Sequence, residues 1–389
     1  MLPEIPKVAL LIETSRGYGR AMLRGVMRYA RLHGPWRLYL SPGDFAQGLP
    51  QMKAWGGSGI IARLETVEVA RAIVAAKVPT IVLDVCEKVA KAVPEMKRFS
   101  TVCSDSTAAS ALAAQHLIEQ GFRNYAYVGE PDRIWSGLRE EGFRKRLNEA
   151  GFEPIVYKFR RGAAARRWVE EQSYLVKWLK GLPKPIGLMA SNDDRGRQVL
   201  EACRAASLIV PLDIAVIGVD NDELLCELSD PPLTSVALNA EAGGYRAAAL
   251  LNDLMTGKQK RNSLLVEPLH VVERRSTEAT AVLDPEVADA LQLIHNHASE
   301  VINIDDIANA LQISRRALEI KFKSSLGRTP HDELQRVRLV RAQKLLLETD
   351  YPIPKVAALA GYGSGAYLAQ VFNSLVGRTP AQYRRTHRM

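Results

Sequence analysis

The chain has 389 residues, of which 47% are hydrophobic and 24% are charged, and its formal net charge is +9. This length excludes a single small scaffold and allows two or three domains, each with its own core. The composition excludes wholesale disorder, and no run of about eighteen apolar residues is present to span a bilayer.

The amino terminus indicates no export. Residues 1–6 contain no basic segment that leads into an apolar one, so we expect a cytoplasmic protein that has no membrane partner. The four cysteines are scattered without the spacing of metal ligands, and we expect reduced thiols, no metal and no cofactor.

Short β-rich runs alternate with longer helical patterns from residue 8 to about residue 275. The predicted strands are 8–12, 59–62, 80–83, 125–128, 155–157, 186–190 and 214–219. The predicted helices are 19–32, 66–76, 106–120, 135–150, 164–180 and 195–205. Such alternation is typical of parallel sheets covered on both faces by helices. Because about 270 residues is long for one such sheet, we expect two α/β lobes with a cleft between them.

Polar residues follow two of the predicted strands directly. Asn192, Asp193 and Asp194 come after strand 186–190, and Asp220 ends the run 214–219. Ligands of open α/β sheets bind at the carboxyl ends of strands, and carboxylates and amides suit the vicinal hydroxyls of a sugar. Helix capping is an equally good interpretation for Asn192 and Asp194.

The segment 136–143, Ser-Gly-Leu-Arg-Glu-Glu-Gly-Phe, resembles the Ser-x-x-Arg-x-x-Gly-Phe segment of LacI-type sugar sensors. The resemblance implies a two-lobed, periplasmic-binding-protein-like sensor with parallel sheets. It implies that Arg139, Asn192, Asp193 and Asp220 hold the effector, and that turn 13–18 of the opposite lobe contributes Glu13 and Tyr18. Trp135 is either a platform for a sugar face or a core or hinge aromatic.

Residues 275–285 lack periodicity and end in Asp284-Pro285, which is typical of a linker. We divide the chain into a sensor (1–276), a linker (277–285) and an all-α domain (286–389). The helices predicted in the last domain are 286–297, 304–311, 314–326, 330–348, 353–360, 365–375 and 381–385.

The all-α domain contains a duplication. The tetrapeptide Gly-Arg-Thr-Pro occurs at 327–330 and again at 377–380, and Phe322 and Phe372 precede it at the same distance. Glycine can end a helix in a left-handed conformation, threonine can cap the next helix, and proline suits its first turn. The tetrapeptide therefore predicts helix ends rather than DNA contacts.

Each copy has the outline of a helix-turn-helix motif. In the first copy, helix 304–311 has an apolar face, and helix 314–326 separates an apolar face from a mostly basic one. A helix placed in this way can enter the major groove of DNA with its first turn on base edges.

Residues 286–385 resemble the AraC-type DNA-binding domain, with the closing signature Phe372 and then Gly-x-Thr-Pro-x-x-Tyr-Arg at 377–384. The DNA-contacting residues that we predict are Ser314, Arg315, Arg316, Glu319, Lys323, Ser364, Gly365, Tyr367, Gln370 and Asn373. The second reading helix has no Lys or Arg, so we expect the first motif to supply more of the affinity.

A LacI-type sensor ahead of an AraC-type domain is the order found in xylose-responsive regulators. That resemblance implies a homodimeric activator whose partners are double-stranded DNA, RNA polymerase and D-xylose. Regulators of the same architecture that respond to another sugar or to a purine remain the alternative. An enzyme is not expected, since Gly17 and Gly19 are followed by Met22 where a dinucleotide-binding fingerprint needs a third glycine.

Overall fold

A computed structural model describes residues 5–40, 56–159, 168–259, 261–278, 285–300 and 302–387. The strands, in chain order, are β1 (Lys7–Leu11), β2 (Arg37–Leu40), β3 (Gly59–Leu64), β4 (Thr80–Val85), β5 (Ser100–Ser104), β6 (Tyr125–Val128), β7 (Ile155–Val156), β8 (Ile186–Ala190), β9 (Ile214–Asp220), β10 (Thr234–Leu238), β11 (Ser263–Val266) and β12 (Pro268–Val272).

The α-helices associated with these strands are α1 (Gly17–His33), α2 (Val67–Ala76), α3 (Glu87–Ala92), α4 (Ser106–Glu119), α5 (Ile134–Glu149), α6 (Trp168–Gly181), α7 (Asp193–Ala205), α8 (Glu223–Leu228) and α9 (Ala240–Met255). A short 3-10 helix, Pro94–Arg98, precedes β5. The carboxy-terminal helices are α10 (Pro285–His297), α11 (Ile304–Ala310), α12 (Arg315–Leu326), α13 (Pro330–Glu348), α14 (Ile353–Leu359), α15 (Gly365–Val376) and α16 (Pro380–His387).

The strands form two six-stranded sheets, and each sheet is the centre of one lobe. The first lobe has the strand order β11-β5-β4-β3-β1-β2, and the second has β12-β10-β9-β8-β6-β7. Strand β12 is antiparallel to β10, and the other pairs are parallel. The chain passes between the lobes after β5, after β10 and between β11 and β12. The carboxyl ends of both parallel sheets therefore face one cleft.

Helices α1 and α9 pack closely against each other on the first sheet. A Cβ atom on Gly25 would lie 2.0 Å from the Glu241 carbonyl oxygen, and one on Gly244 would lie 1.9 Å from the Met22 carbonyl oxygen. Only glycine at these two positions allows the helix backbones to approach so closely.

The carboxy-terminal helices form two similar halves. Leu318 and Phe322 of α12 are fully buried in the first half, and Leu368 and Phe372 of α15 are fully buried in the second. Helix α13, with 19 residues, connects the halves and spans on the order of 28 Å.

The repeated tetrapeptide ends and begins helices as predicted. Gly327 and Gly377 both have φ +71° at the ends of α12 and α15. Thr329 then forms a capping box with Asp332 at the start of α13. The repeat therefore sets where the two long helices stop and where the next ones begin.

The predicted fold class is confirmed: two parallel-sheet α/β lobes precede a helical domain. The predicted linker falls largely on residues 279–284, which lie outside the described residues, as do residues 164–167 of the predicted helix 164–180. Thr277 is buried and hydrogen-bonded to Thr234 of β10, and α10 starts at Pro285. None of the described helices is both long enough and apolar enough to cross a membrane.

Candidate ligand cleft and DNA-binding surface

A cavity of about 530 Å³ lies between the two lobes, at the carboxyl ends of their strands. Its polar lining from the first lobe includes Tyr18, Arg63, Asp84 and Ser104, and its lining from the second lobe includes Trp135, Arg139, Asn192, Asp194 and Asp220. The cavity therefore presents charged and aromatic groups from both sides of the cleft.

Arg139 is the central group of the second-lobe wall. Its guanidinium donates to the Asp220 carboxylate over 3.1 Å and to the Ser191 carbonyl oxygen, and it is 4% exposed. The Trp135 ring centroid lies 4.7 Å from the Arg139 Cζ atom, because the two residues are one helical turn apart on α5. Burial raises the pKa of Asp220, while the adjacent Arg139 acts against that rise.

Arg63 of β3 has the corresponding place in the first lobe. It donates to the Asp84 carboxylate over 3.1 Å and to Glu13, and its Cζ atom lies 5.6 Å from the Tyr18 ring centroid. The Tyr18 hydroxyl is 3.3 Å from the Ser104 hydroxyl, and burial raises the pKa of Tyr18 to about 12. This wall offers a cation, a carboxylate and neutral hydroxyls to a ligand.

Contacts between the lobes bridge the cleft, and we name them the cross-lobe contacts. Arg16 pairs with Asp194 over 2.6 Å, and Arg133 pairs with Glu65. The backbone N–H of Gly17 also donates to the Asp222 carboxylate over 2.6 Å. Two ion pairs and one backbone hydrogen bond thus join the lobes across the cleft.

Five of the predicted effector residues line the cavity: Tyr18, Trp135, Arg139, Asn192 and Asp220. Glu13 does not line the cavity, because it is only 1% exposed and its carboxylate accepts from the Arg63 guanidinium. Asp193 does not line it either. Its two carboxylate oxygens accept from the Asp222 N–H over 2.7 Å and from the Ser235 hydroxyl over 2.5 Å.

The structure also shows where Asn192, Asp194 and Trp135 lie relative to the cavity and the helix start. The Asn192 side chain accepts from the Arg195 N–H over 2.9 Å and caps α7, while its residue still borders the cavity. Asp194 points across the cleft to Arg16 instead of capping the helix. Trp135 lies in the cavity wall and not in the core.

Sequence reasoning missed the cavity-lining residues Arg63 and Asp84. Each directly follows a predicted strand, 59–62 and 80–83, so the strand-end argument that located Asp220 applies to them too. No group of three or more potential metal ligands lies together in the described part of the chain.

The two candidate DNA-reading helices, α12 and α15, differ in charge. On α12, Arg315 forms ion pairs with Asp305 at 3.0 Å and with Glu319 at 2.9 Å. Arg316 and Lys323 are exposed and form no ion pair within the described residues. They are therefore the available cations on that helix.

The predicted contact residues of the second motif lie on α15 and at its start. Gly365 is half-buried, and Gln370 and Asn373 are exposed. The Tyr367 hydroxyl is bound by the Gln335 amide over 3.1 Å, so this residue also attaches α15 to α13. Ser314 and Ser364 accept hydrogen bonds from Ala317 and Tyr367 and cap the two helices.

Comparison with known proteins gives three matching family models along the chain. Residues 7–104 match the XylR N-terminal domain, residues 114–277 match a periplasmic binding protein-like domain, and residues 307–386 match a helix-turn-helix domain. The first range contains β1–β5 of the first lobe, the second contains the strands of the second lobe together with β11, and the third contains the two candidate DNA-reading helices.

Relatives match the chain over almost its whole length. The xylose operon regulatory protein of Escherichia coli (strain K12) is 32% identical over 97% of this chain and 96% of its own. The Haemophilus influenzae protein of the same name is 30% identical over 99% of both chains. The solved structure of the xylose-binding transcription activator XylR is 31% identical over 99% of both chains, with a TM-score of 0.62.

Proposed function

The chain belongs to the family of xylose operon regulatory proteins, DNA-binding regulators with a sugar-binding sensor and an AraC-type helix-turn-helix domain, and we propose that its effector is D-xylose. Binding of the sugar would turn on genes for pentose breakdown. The relatives whose names include xylose support this choice of sugar.

The observation that carries the proposal is the cavity between the lobes. Arg139 with Asp220 on one wall and Arg63 with Asp84 on the other form two sets of planar donors and paired acceptors. Vicinal hydroxyls of a sugar can donate to a carboxylate and accept from a guanidinium at the same time. A volume of about 530 Å³ lies in the range of small-molecule sites.

Within this proposal the other predicted residues have separate tasks. Tyr18, Trp135 and Asn192 contact the sugar, whereas Glu13 holds Arg63 of the cavity wall and Asp193 holds the turn that follows Asp220. The sugar stabilises the closed lobes only by as much as it binds them more tightly than the open ones.

The output of the proposed regulator is DNA binding by the two motifs. The side chains that we assign to DNA are Arg315, Arg316, Glu319, Lys323, Gln370 and Asn373, with Ser314, Ser364, Gly365 and Tyr367 at the helix starts. We also propose that the protein acts as a homodimer in the cytoplasm and recruits RNA polymerase.

Calorimetric titration with D-xylose, L-arabinose, D-glucose and adenine tests the choice of effector. We expect D-xylose to bind most tightly. Asp220→Asn should weaken its binding at least about tenfold, because the variant removes the charge that pairs with Arg139. Asp230→Asn is the matched control, since that carboxylate is 82% exposed and lies outside the cavity lining.

Two outcomes contradict the proposal. Tight binding of adenine without binding of any sugar would favour the purine alternative. Full sugar-dependent DNA binding by Asp220→Asn would show that the effector does not act through this cavity.

A further inference from the structure

Arg336, on the helix that connects the two DNA-binding motifs, lies at the boundary between the helical domain and the sensor. Its side chain is 18% exposed and pairs with Glu333 of its own helix over 2.7 Å. It also reaches two carboxylates of the second lobe, Glu119 at 3.8 Å and Glu273 at 3.7 Å. One guanidinium thus joins carboxylates from two helices and from the segment that follows β12.

The surrounding groups fix the position of this guanidinium. Glu333 is fully buried and is held from its other side by Arg328, which follows the end of α12. On the sensor, the Gln120 amide donates to Glu273 over 2.6 Å. The ion pairs therefore run from the end of the first DNA-reading helix to the second lobe.

An apolar contact accompanies the ion pairs. A Cβ atom on Gly121, just after α4, would lie 3.1 Å from a Leu326 methyl carbon at the end of α12. The first motif therefore packs directly on the second lobe.

The boundary with the first lobe is different. A crevice of about 950 Å³, whose lining also includes second-lobe residues such as His270, lies between the exposed side of α1 and the end of α13. Arg24 and Arg28 stand on one wall of this crevice, and Glu348 and Asp350 stand on the other. A change in the angle between the lobes can alter the width of this crevice while the second-lobe boundary stays intact.

We propose that Arg336, Glu119 and Glu273 form an anchor that fixes the DNA-binding domain to the second lobe, so that the first motif moves with that lobe when the sugar changes the lobe angle. This proposal rests on the proposed sugar response. The anchor residues themselves touch neither the cavity nor the exposed face of α12, so they are positioning residues.

The test uses the full-length double variant Glu119→Lys and Glu273→Lys, which places two cations against Arg336 and leaves the DNA-binding domain unchanged. The matched control is Glu140→Lys with Glu149→Lys, which makes the same charge change at one half-buried and one exposed position of α5 in the same lobe. Circular dichroism and melting temperature establish that both variants are folded.

Small-angle scattering without sugar measures the anchor directly. We expect a larger radius of gyration in the anchor variant than in the control, because the domain detaches. The ratio of DNA dissociation constants without and with D-xylose should fall at least about threefold toward one, while the sugar dissociation constant stays within about twofold.

An unchanged radius of gyration, or a sugar response of DNA binding equal to that of the control, overturns the anchor. If wild-type protein shows no sugar response, the proposed function fails, and the scattering comparison alone decides the anchor.

Discussion

Asp193 and Asp220 are two aspartates at the ends of neighbouring strands, but they have different surroundings. Asp220 faces the cavity and pairs with Arg139. The Asp193 carboxylate instead accepts from the backbone N–H of Asp222, in the loop that follows β9. The residue pattern cannot separate these cases, because both side chains follow a buried strand. The partners that distinguish them, Ser235 and Asp222, are distant in sequence.

The environment of Asp193 predicts a pH-dependent effect on stability. Burial, and then the charge of Asp220, raise the pKa of Asp193 above its ordinary value. The folded protein therefore keeps this proton to a higher pH than the unfolded chain does. The contribution of Asp193 to stability is present at low pH and is lost as the pH rises from about 4 through the raised pKa.

We expect Asp193→Asn, which cannot titrate, to gain stability relative to the wild type as the pH rises. The gain should be at most about 1.4 kcal/mol per pH unit. It is measured as the difference in urea unfolding free energy between the variant and the wild type from about pH 5 to about pH 8. Ser235→Ala is a useful companion, because it removes a hydrogen-bond donor but keeps the titrating group. A difference that is independent of pH would contradict the prediction.

Individual elements were predictable wherever the apolar pattern was long or repeated. The repeat located α12 and α15, because equal spacing of buried residues and identical helix ends leave little freedom. Helix α9 was not predicted, and neither was its packing on α1. That contact joins residues more than two hundred positions apart, and no local pattern specifies it.

The contact between α1 and α9 provides a test at neighbouring positions. We expect Gly244→Ala to destabilise the sensor by about 2 kcal/mol or more, because its Cβ would meet the Met22 backbone at 1.9 Å. Gly243→Ala is the matched control, since the nearest atom to its Cβ would be in the flexible Met22 side chain at 3.1 Å and no backbone atom lies close to it. Equal melting temperatures for the two variants would contradict this account of the helix crossing.

The charge difference between α12 and α15 predicts unequal roles in DNA binding. We expect Arg316→Ala and Lys323→Ala each to lower the salt dependence of DNA affinity by about one unit of log–log slope, as the loss of a phosphate contact does. Gln370→Ala should leave that slope unchanged. Arg315→Ala should have a smaller effect than Arg316→Ala, because Asp305 and Glu319 already occupy Arg315.

Binding isotherms at several salt concentrations on one mapped DNA site measure these slopes. A larger decrease in slope for Gln370→Ala than for Arg316→Ala would reverse the assignment of the two motifs. The same comparison on a second DNA site, in which the bases that face one motif are changed, separates base contacts from phosphate contacts. Only the base contacts depend on the DNA sequence.

In the whole molecule, the segments that connect the two lobes couple the ligand cleft to the DNA-binding surface. The two lobes are interleaved in sequence, since β11 completes the first sheet only after β6–β10 of the second, and β12 then completes the second sheet. The lobes can therefore change their angle only at the connecting segments. The alternation of strands and helices predicted two lobes. Which sheet contains β11 and which contains β12 follows only from the strand pairing in the structure.

The cross-lobe contacts predict how readily the sugar closes the cleft. Since both ion pairs are partly exposed, we expect Arg16→Met with Arg133→Met to favour the open lobes by about 1 kcal/mol and to raise the D-xylose dissociation constant about fivefold. Calorimetry at low and high salt measures this effect, which should shrink as salt screens the wild-type pairs. Arg197→Met with Arg204→Met is the control, because those arginines pair within the second lobe. Equal sugar affinity in both double variants would mean that the pairs do not favour closure, whereas tighter binding would mean that they oppose it.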